Sequence, residues 1–283
     1  MHTISLTTQQ SKGLQSACDM LRPTSLHGGN TLTDKPAARG RKRGSPSPQI
    51  LRATLRLREM ILTGALPPGQ RVAELKVVDS VGVSRTPLRL AMETLEHEGL
   101  LSRRASGGFV VSEFSLQDVQ QAIELRGSLE GVACRFAAEQ HAGRATPLTA
   151  IVEALDDVLR VQTPAPDTLH RYAELNEQFH RALVDLAHNP LLNKLLDQVR
   201  SLPFGSPGAF VQAHATSLES FRILLVAQEH HRTITQAIAE GDSARAESLA
   251  REHARLALRN LDTAVRDVER FRQMPGGKLV KMG

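Results

Sequence analysis

The sequence predicts a mainly α-helical fold, in which an N-terminal winged helix-turn-helix is followed by an all-α antiparallel helical bundle. Two helical patterns meet at a glycine turn near residue 82, and a short β pattern with a glycine tip follows them. From residue 116 onward, apolar residues recur at helical spacing nearly to the end of the chain, in six predicted helical segments at roughly 116–139, 147–160, 167–187, 190–199, 209–240 and 243–271. A chain of 283 residues is long enough for two domains with separate cores.

Charge and composition divide the chain into four parts. Residues 1–46 carry seven Lys or Arg against two acids and lack an apolar period, which predicts a disordered basic N-terminal arm. The winged helix-turn-helix at 47–112 carries nine basic residues against six acids, whereas 113–283 carries nineteen against twenty-two. Basic charge therefore gathers where DNA binding is predicted. We expect the helical domain at 113–271 and a flexible tail at 272–283.

A basic run closes the N-terminal arm, and it has two interpretations. Its members are Arg39, Arg41, Lys42 and Arg43. A solvated linker is the usual meaning of such a run and is favoured here. The alternative is a flexible arm that adds nonspecific attraction to DNA phosphates.

The first helix of the winged domain is predicted from Ile50 to Thr63, and four apolar side chains are assigned to its buried side. These are Leu51, Leu55, Met60 and Ile61. A second, short helix is predicted from Ala73 to Val81.

A tight turn and an amphipathic helix follow. Gly82 suits the turn because it tolerates positive φ. Ser84 is a good N-cap, and Pro87 lies in the first helical turn, where a missing N–H costs little. An apolar stripe then recurs at helical spacing at Leu88, Ala91, Met92 and Leu95. Helix, turn and helix together predict a helix-turn-helix.

Basic residues mark the open face of this second helix and the β pattern after it. Arg85 and Arg89 are four residues apart and project together, so they suit phosphates or the guanine edge in a DNA groove. The alternative is a solvated basic face on an ordinary helix. Arg103 and Arg104 lie on the rising strand of the predicted wing, whose tip is at Gly107-Gly108.

These stretches resemble the GntR family of repressors. The resemblance is carried by Leu66–Glu74, Gly82–Arg89 and Leu95–Leu100. It implies DNA contacts from Arg85, Thr86 and Arg89 on the recognition helix and from Gly108 at the wing tip. Some relatives have a further basic contact at the position of Leu75, which is apolar here.

Three histidines in the helical domain are candidate metal ligands. Asn176 and His180 lie at i and i+4 on one helix face, His231 lies on a later helix, and His253 lies on the last one. Facing helices of a bundle commonly build metal sites, and imidazoles suit Zn²⁺. Spacing alone favours the alternative, in which each histidine makes ordinary hydrogen bonds.

The helical domain resembles the FCD ligand-sensing domain of the FadR branch of the family. The matching stretches are Glu124–Glu130, Asn176–His180, His231–Asp242 and His253. The resemblance implies a divalent metal held by Asn176, His180, His231 and His253. Asn176 replaces the acidic ligand of many relatives, and its neutral amide oxygen offers less charge compensation. Because histidines must be neutral to ligate, we expect metal affinity to fall as pH drops through about 6.5.

The same resemblance suggests which residues contact an effector. Arg126 is expected to face the pocket and clamp a carboxylate, and its alternative is a structural salt bridge with a neighbouring glutamate. Tyr172 is expected to line the pocket and donate from its hydroxyl. Arg171-Tyr172 and Leu202–Phe204 resemble the vanillate-type subgroup, which implies small aromatic acids as effectors.

Composition and the remaining motifs narrow the function. Cys18 and Cys134 form no CxxC motif or disulfide framework, and apolar runs are too short for a membrane span or secretory signal, so a cytoplasmic protein is expected. The first hypothesis is a homodimeric repressor, released from a palindromic DNA operator by a small organic acid bound at the metal. An enzyme is disfavoured because no HExxH motif occurs. The third hypothesis is a pure metal sensor, in which the ion itself is the signal.

Overall fold

The computed structural model describes residues 47–161, 165–211 and 218–282. The predicted arm at 1–46 lies outside the described residues, as does part of the fifth predicted helical segment. Within the described part, no helix is long and apolar enough to cross a membrane.

Three helices and a β-hairpin form the N-terminal domain. The helices are α1 (Pro48–Leu62), α2 (Glu74–Val81) and α3 (Arg85–His97). Strands β1 (Leu101–Arg103) and β2 (Phe109–Val111) pair antiparallel, so the winged helix-turn-helix is confirmed.

The turn before α3 has the predicted chemistry. Gly82 ends α2 with φ +68° and accepts a hydrogen bond on its carbonyl from the Arg52 guanidinium at 3.1 Å. Pro87 and Leu88 are buried in the first turn of α3, together with the rest of the predicted apolar stripe. Ser84 occupies the N-cap position without a side-chain capping bond.

The buried face of α1 differs from the prediction. Leu51 and Leu55 are exposed, at 51% and 54%, whereas Ala53 and Leu57, which were not assigned, are fully buried. Ile61 is fully buried and Met60 is partly buried, as predicted. The core contacts of α1 come mainly from α3, and they select the stripe that carries Ala53 and Leu57, so the first two leucines face solvent.

Among the described residues, seven helices form the C-terminal domain. They are α4 (Leu116–His141), α5 (Pro147–Leu159), α6 (Pro166–Asp185), α7 (Pro190–Arg200), α8 (Leu218–Glu240), α9 (Ser243–Ala264) and α10 (Val268–Gln273). The last predicted segment, 243–271, is thus divided into α9 and α10. The apolar faces of α4 to α9 share one large core, as expected of a bundle, whereas Phe271 of α10 lies in a second cluster with residues of α4 and α9.

Helices α4 and α9 approach each other closely. A Cβ on Gly127 of α4 would lie only 2.5 Å from the Cβ of Ala254 on α9, so glycine is required for this distance. The close contact positions Arg126 and Glu130 of α4 near His253 of α9, which is the region of the predicted site.

The predicted flexible tail is wrong for residues 272–282. Beyond α10, a 3₁₀ turn at Gly277–Leu279 leads to strand β4 (Val280–Lys281), which pairs in parallel with β3 (Phe114–Ser115) of the interdomain linker. Leu279 and Val280 are 1% and 5% exposed. Such a short segment has no period of its own, and its order comes from contacts with both domains.

Candidate functional site

Three predicted ligands meet in the middle of the helical domain. His180 of α6, His231 of α8 and His253 of α9 are all buried or nearly so. Nε2 of His253 lies 3.2 Å from Nε2 of His231 and 3.2 Å from Nε2 of His180. The structure therefore brings together three side chains separated by 51 and 22 residues along the chain.

Contacts at the outer nitrogens orient two of the rings, through a hydrogen bond for His231 and a neighbouring carboxylate for His180. Nε2 of Gln228 donates to the Val152 carbonyl at 3.0 Å and to Asp156, which leaves Oε1 of Gln228 to accept from Nδ1 of His231 at 3.0 Å. Nδ1 of His180 lies 3.3 Å from Oε2 of Glu130. With both Nδ1 atoms protonated, Nε2 of each ring carries a lone pair that points to the shared centre.

This arrangement fits a divalent metal better than hydrogen bonding alone. Nε2 of His253 has two Nε2 neighbours that are both acceptors, and a single N–H donates to only one of them. Nitrogens about 2.0–2.1 Å from a tetrahedral ion would be roughly 3.3 Å apart, close to the distances above. The three ligand atoms all lie within 4.8 Å of one another, so these histidines form a group able to hold a metal ion.

Burial keeps His231 and His253 neutral. It lowers the pKa of His231 well below the ordinary value, and the neighbouring His253 and His180 lower it further. The pKa of His253 is likewise lowered well, first by burial and then by His180. The expectation that metal affinity falls as pH drops through about 6.5 therefore does not hold for these two ligands, because protons compete with the metal only at lower pH.

A small cavity of about 40 Å³ adjoins the cluster. Arg126, Tyr172, Asn176 and Asn260 line it together with His180 and His253. Besides the two histidines, four residues at this cavity have buried polar groups that lack a hydrogen-bond partner among the described residues. They are Nε and Nη1 of Arg126, the Tyr172 hydroxyl, Nδ2 of Asn176 and Oδ1 of Asn260. Buried polar groups are almost always paired, so the cavity has the character of a ligand site.

The interactions of Arg126 differ from the simple salt bridge that was the alternative interpretation of this residue. Arg200, rather than Arg126, pairs closely with Glu130, at 2.8 Å. Burial alone would raise the pKa of Glu130, but His180, Arg126 and Arg200 lower it well below the ordinary range, so it is ionised. Burial lowers the pKa of Arg126 and raises that of Tyr172. Among the described residues, the carboxylates that act on the guanidinium are Glu130 and Glu177, which also pair with Arg200 and Arg181. An anion in the cavity would compensate the charge of Arg126 further.

The predicted DNA contacts lie on one exposed surface of the winged domain. Arg85, Thr86 and Arg89 project from α3, and Nε of Arg89 lies 3.8 Å from Glu74. Gly108 has φ +81° at the tip of the wing, next to the exposed Arg104.

The structure differs from the prediction at two arginines near the wing, Arg103 and Arg71. Arg103 is engaged by Glu96 at 2.9 Å and lies over the ring of Phe109, so it stabilises the wing against α3. Arg71 was missed by the sequence reasoning. Its guanidinium lies 3.6 Å from where a Cβ on Gly108 would be, which places it at the wing tip. It lies within the family-like stretch Leu66–Glu74, which was the available signal.

Sequence reasoning also missed the residues around the histidine cluster and the cavity. Gln228 lies three residues before His231, a helical spacing that is visible in the sequence. Glu130 lies within a stretch already recognised. Arg200 and Asn260 had no sequence signal, because only the packing of α7 and α9 brings them to the site.

A winged DNA-binding domain joined to a helical domain with a ligand cavity defines a one-component transcriptional regulator. Residues 49–111 match the family of bacterial regulatory proteins called gntR, and residues 121–256 match the FCD domain. The chain belongs to the GntR family, in the architecture that carries an FCD domain. Its relatives are transcriptional regulators and not enzymes, as predicted.

Two relatives illustrate the match. An uncharacterized HTH-type transcriptional regulator, YdhC of Bacillus subtilis (strain 168), is 33% identical over 162 residues, covering 57% of this chain and 70% of the relative. A probable D-xylose utilization operon transcriptional repressor of Paenarthrobacter nicotinovorans is 30% identical over 193 residues, covering 68% and 80%.

Solved structures support the fold. E. coli McbR/YncC gives a TM-score of 0.54 at 20% identity, covering 76% of this chain and 97% of that protein. A putative GntR regulator from Rhodococcus sp. RHA1 gives 0.51 at 20% identity, covering 77% and 99%.

Proposed function

We propose that this regulator is a repressor that a small organic acid releases from a palindromic DNA operator. The acid binds in the cavity beside a divalent ion, which we assign as zinc, held by His180, His231 and His253. The observation that carries the proposal is the set of unpartnered buried groups beside the three histidines. When bound, the ion supplies a positive charge and open coordination positions for a carboxylate.

The chain's own residues would recognise the acid. Arg126 offers two unpartnered N–H groups, which suit a carboxylate. The Tyr172 hydroxyl and the Asn176 amide offer two further donors. Asn176 can turn either its amide oxygen to the ion or its N–H to the acid, since it has both groups.

The size of the cavity implies that binding is accompanied by movement. A volume of about 40 Å³ is far below the roughly 300 Å³ or more of typical ligand pockets. Small aromatic acids therefore require the lining to move apart, and this movement is what distinguishes the two states of a switch.

The DNA side of the proposal uses the exposed basic surface. Arg85, Thr86 and Arg89 of α3 are proposed to enter the major groove, with Gly108, Arg104 and Arg71 at the adjacent backbone. Arg103 is proposed to contact DNA only by exchanging Glu96 for a phosphate.

The metal site is tested with His231→Ala and the matched variant His230→Ala. His230 is adjacent but stands outside the group of ligand atoms. We expect the wild type and His230→Ala to retain zinc by elemental analysis, and His231→Ala to lose it while still binding an operator selected from random duplexes. Zinc retained at the wild-type level in His231→Ala would disprove the assignment of the ligands.

The acid site is tested by titrating benzoate, hydroxybenzoates and succinate into the protein–operator complex, with benzamide as the uncharged control. We expect a carboxylate, but not benzamide, to release DNA. Arg126→Met should weaken this response about 10- to 100-fold, because a charge-assisted bond is lost, with operator affinity unchanged. Arg181→Met, which changes an exposed arginine of α6, is the matched control.

A pure metal sensor is the second candidate, because the histidine cluster is preformed whereas the cavity is small. It predicts that zinc alone changes operator affinity and that no acid adds to the effect. The same titrations, performed with metal-free and zinc-loaded protein, distinguish the two.

A further inference from the structure

The C-terminal segment, residues 268–282, reaches from the helical domain to the winged domain; we call it the C-terminal clasp. The backbone N–H of Gly276 donates to the Leu62 carbonyl at 3.0 Å, and Nζ of Lys278 donates to the Thr63 carbonyl at 3.0 Å. Leu279 is buried in the core of the winged domain. The clasp thus holds the C-terminal end of α1.

The clasp also holds the interdomain linker. Strand β4 pairs with β3 in the register Phe114–Val280 and Ser115–Lys281. Lys281 forms an ion pair with Glu113 at 2.6 Å. Because Glu113 to Ser115 connect strand β2 of the wing to helix α4, the clasp touches both the first helix of the winged domain and the segment that leaves it.

An aromatic stack connects the clasp to the ligand cavity. The rings of Phe210 and Phe204 are 5.2 Å apart and nearly parallel, and those of Phe204 and Phe271 are 4.9 Å apart. Phe210 lines the cavity, whereas Phe271 belongs to α10 of the clasp. Phe204 has φ +59°, an unfavourable conformation for a residue with a side chain, and it is 4% exposed. Packing on both sides therefore fixes the middle ring.

We propose that the clasp transmits the state of the cavity to the winged domain through the stack of Phe210, Phe204 and Phe271. A closely packed stack shifts as a unit, since interiors lack space to absorb a displaced ring. Displacement of Phe210 would move Phe271, and the backbone bonds of the clasp would carry this movement to α1 and to the linker. The identity of the signal rests on the proposed function, but the mechanical connection does not.

Thermodynamic reciprocity allows a test from the DNA side. If cavity and winged domain are coupled, DNA binding changes the affinity of the cavity for its ligand by the same factor as the ligand changes the affinity for DNA, so bound DNA must shift the conformational equilibrium of the cavity. Hydrogen exchange of the backbone at residues 202–211 reports the cavity side of the stack, and exchange at 277–281 reports the clasp. Neither metal nor acid is added, so the result is independent of both.

The test compares Phe271→Leu with Val268→Ala, a half-exposed residue of the same helix outside the stack. In the wild type and in Val268→Ala, the selected operator should change exchange at 202–211 by about fivefold or more, the lower end of typical couplings. In Phe271→Leu, DNA should still protect the backbone of the winged domain from hydrogen exchange, but the operator should no longer change exchange at 202–211.

A second pair of variants interrupts the clasp without removing a core side chain. Gly276→Ala adds a Cβ where φ is +87° and where Pro203 would be 3.2 Å away. Gly143→Ala introduces the same backbone strain, at φ +68°, in a turn with nothing within 4 Å. We expect only Gly276→Ala to lose the response at 202–211.

Two results would overturn the inference. One is a wild-type protein in which operator binding leaves 202–211 unchanged. The other is a full response in both Phe271→Leu and Gly276→Ala. Either result would leave the proposed metal ligands and acid site intact. Conversely, the zinc and acid experiments described above test only those two proposals and not the role of the clasp.

Discussion

The outer nitrogens of the histidines matter at the residue scale as much as the inner ones. Gln228 is held by the Val152 carbonyl and by Asp156, and Asp156 in turn binds Arg232 at 2.7 Å. This chain of bonds fixes the proton on Nδ1 of His231. Residues in this supporting role usually affect metal affinity by about 10- to 100-fold.

We therefore expect Gln228→Ala to weaken zinc binding by about 10- to 100-fold, because the ring of His231 loses its orientation. Competition with a chromophoric chelator measures the affinity. Gln236→Ala, which removes an exposed glutamine of the same helix that bonds to Glu240, should bind zinc like the wild type. Equal affinities for Gln228→Ala and wild type would mean that packing alone positions the ring.

The metal-free protein should lose stability as pH falls below about 6.5. Burial lowers the pKa of His231 and His253 in the folded state, so below about 6.5 the unfolded chain binds more protons than the folded one. The stabilisation from the neutral histidines is fully present above this pH. As the pH falls further, the free energy of unfolding declines by about 1.4 kcal/mol per pH unit for each histidine, until the pH reaches the pKa of that histidine in the folded state.

Chemical unfolding of chelator-treated protein between pH 7.5 and 5.5, a range chosen to bracket about 6.5, measures this slope. His253→Gln should reduce it by about 1.4 kcal/mol per unit. His170→Gln, which changes an exposed histidine, should not. A slope unaffected by His253→Gln would contradict the neutral, buried state of that ring.

At the scale of secondary-structure elements, sequence reasoning was accurate where local chemistry decides. The turn at Gly82, the start of α3 and the glycine-tipped wing were predicted because each needs particular residues at particular positions. The burial of α1 was not, since Leu51 and Ala53 lie on different stripes and only packing against α3 selects between them. The clasp was missed for the same reason. Likewise, the sequence identified the three histidines, but the distance between them depends on how helices α6, α8 and α9 pack.

The recognition helix and the wing should contribute differently to DNA binding. Arg89→Ala should weaken binding to the selected operator by about 1–3 kcal/mol and relax its specificity if the guanidinium meets a base edge. Arg104→Ala, at the exposed wing, should weaken binding to all sequences alike and reduce the salt slope by about one. Titrations on operator and random duplexes at several salt concentrations separate the two. An equal loss on random DNA would assign Arg89 to phosphate.

At the scale of the whole molecule, a single winged domain offers few specific contacts. Basic charge is concentrated in the N-terminal 112 residues, and the helical domain is mildly acidic. Attraction to DNA is therefore directed to one end of the chain. Three or four side chains at base edges rarely give operator specificity alone, which favours two copies on one site.

We expect the protein to be a symmetric dimer that reads a palindrome with half-sites about 10 base pairs, or one helical turn, apart. Two-fold symmetry of the protein requires the same symmetry in the operator, because both recognition helices must meet equivalent bases. Light scattering measures the mass in solution, and footprinting of the selected operator measures the spacing. Inserting about five base pairs between the half-sites rotates one of them by half a turn and should abolish tight binding, whereas inserting about ten should restore part of it. A single asymmetric footprint on a monomer would contradict this expectation, and it would require the whole affinity to come from α3, the wing and nonspecific phosphate contacts of one chain.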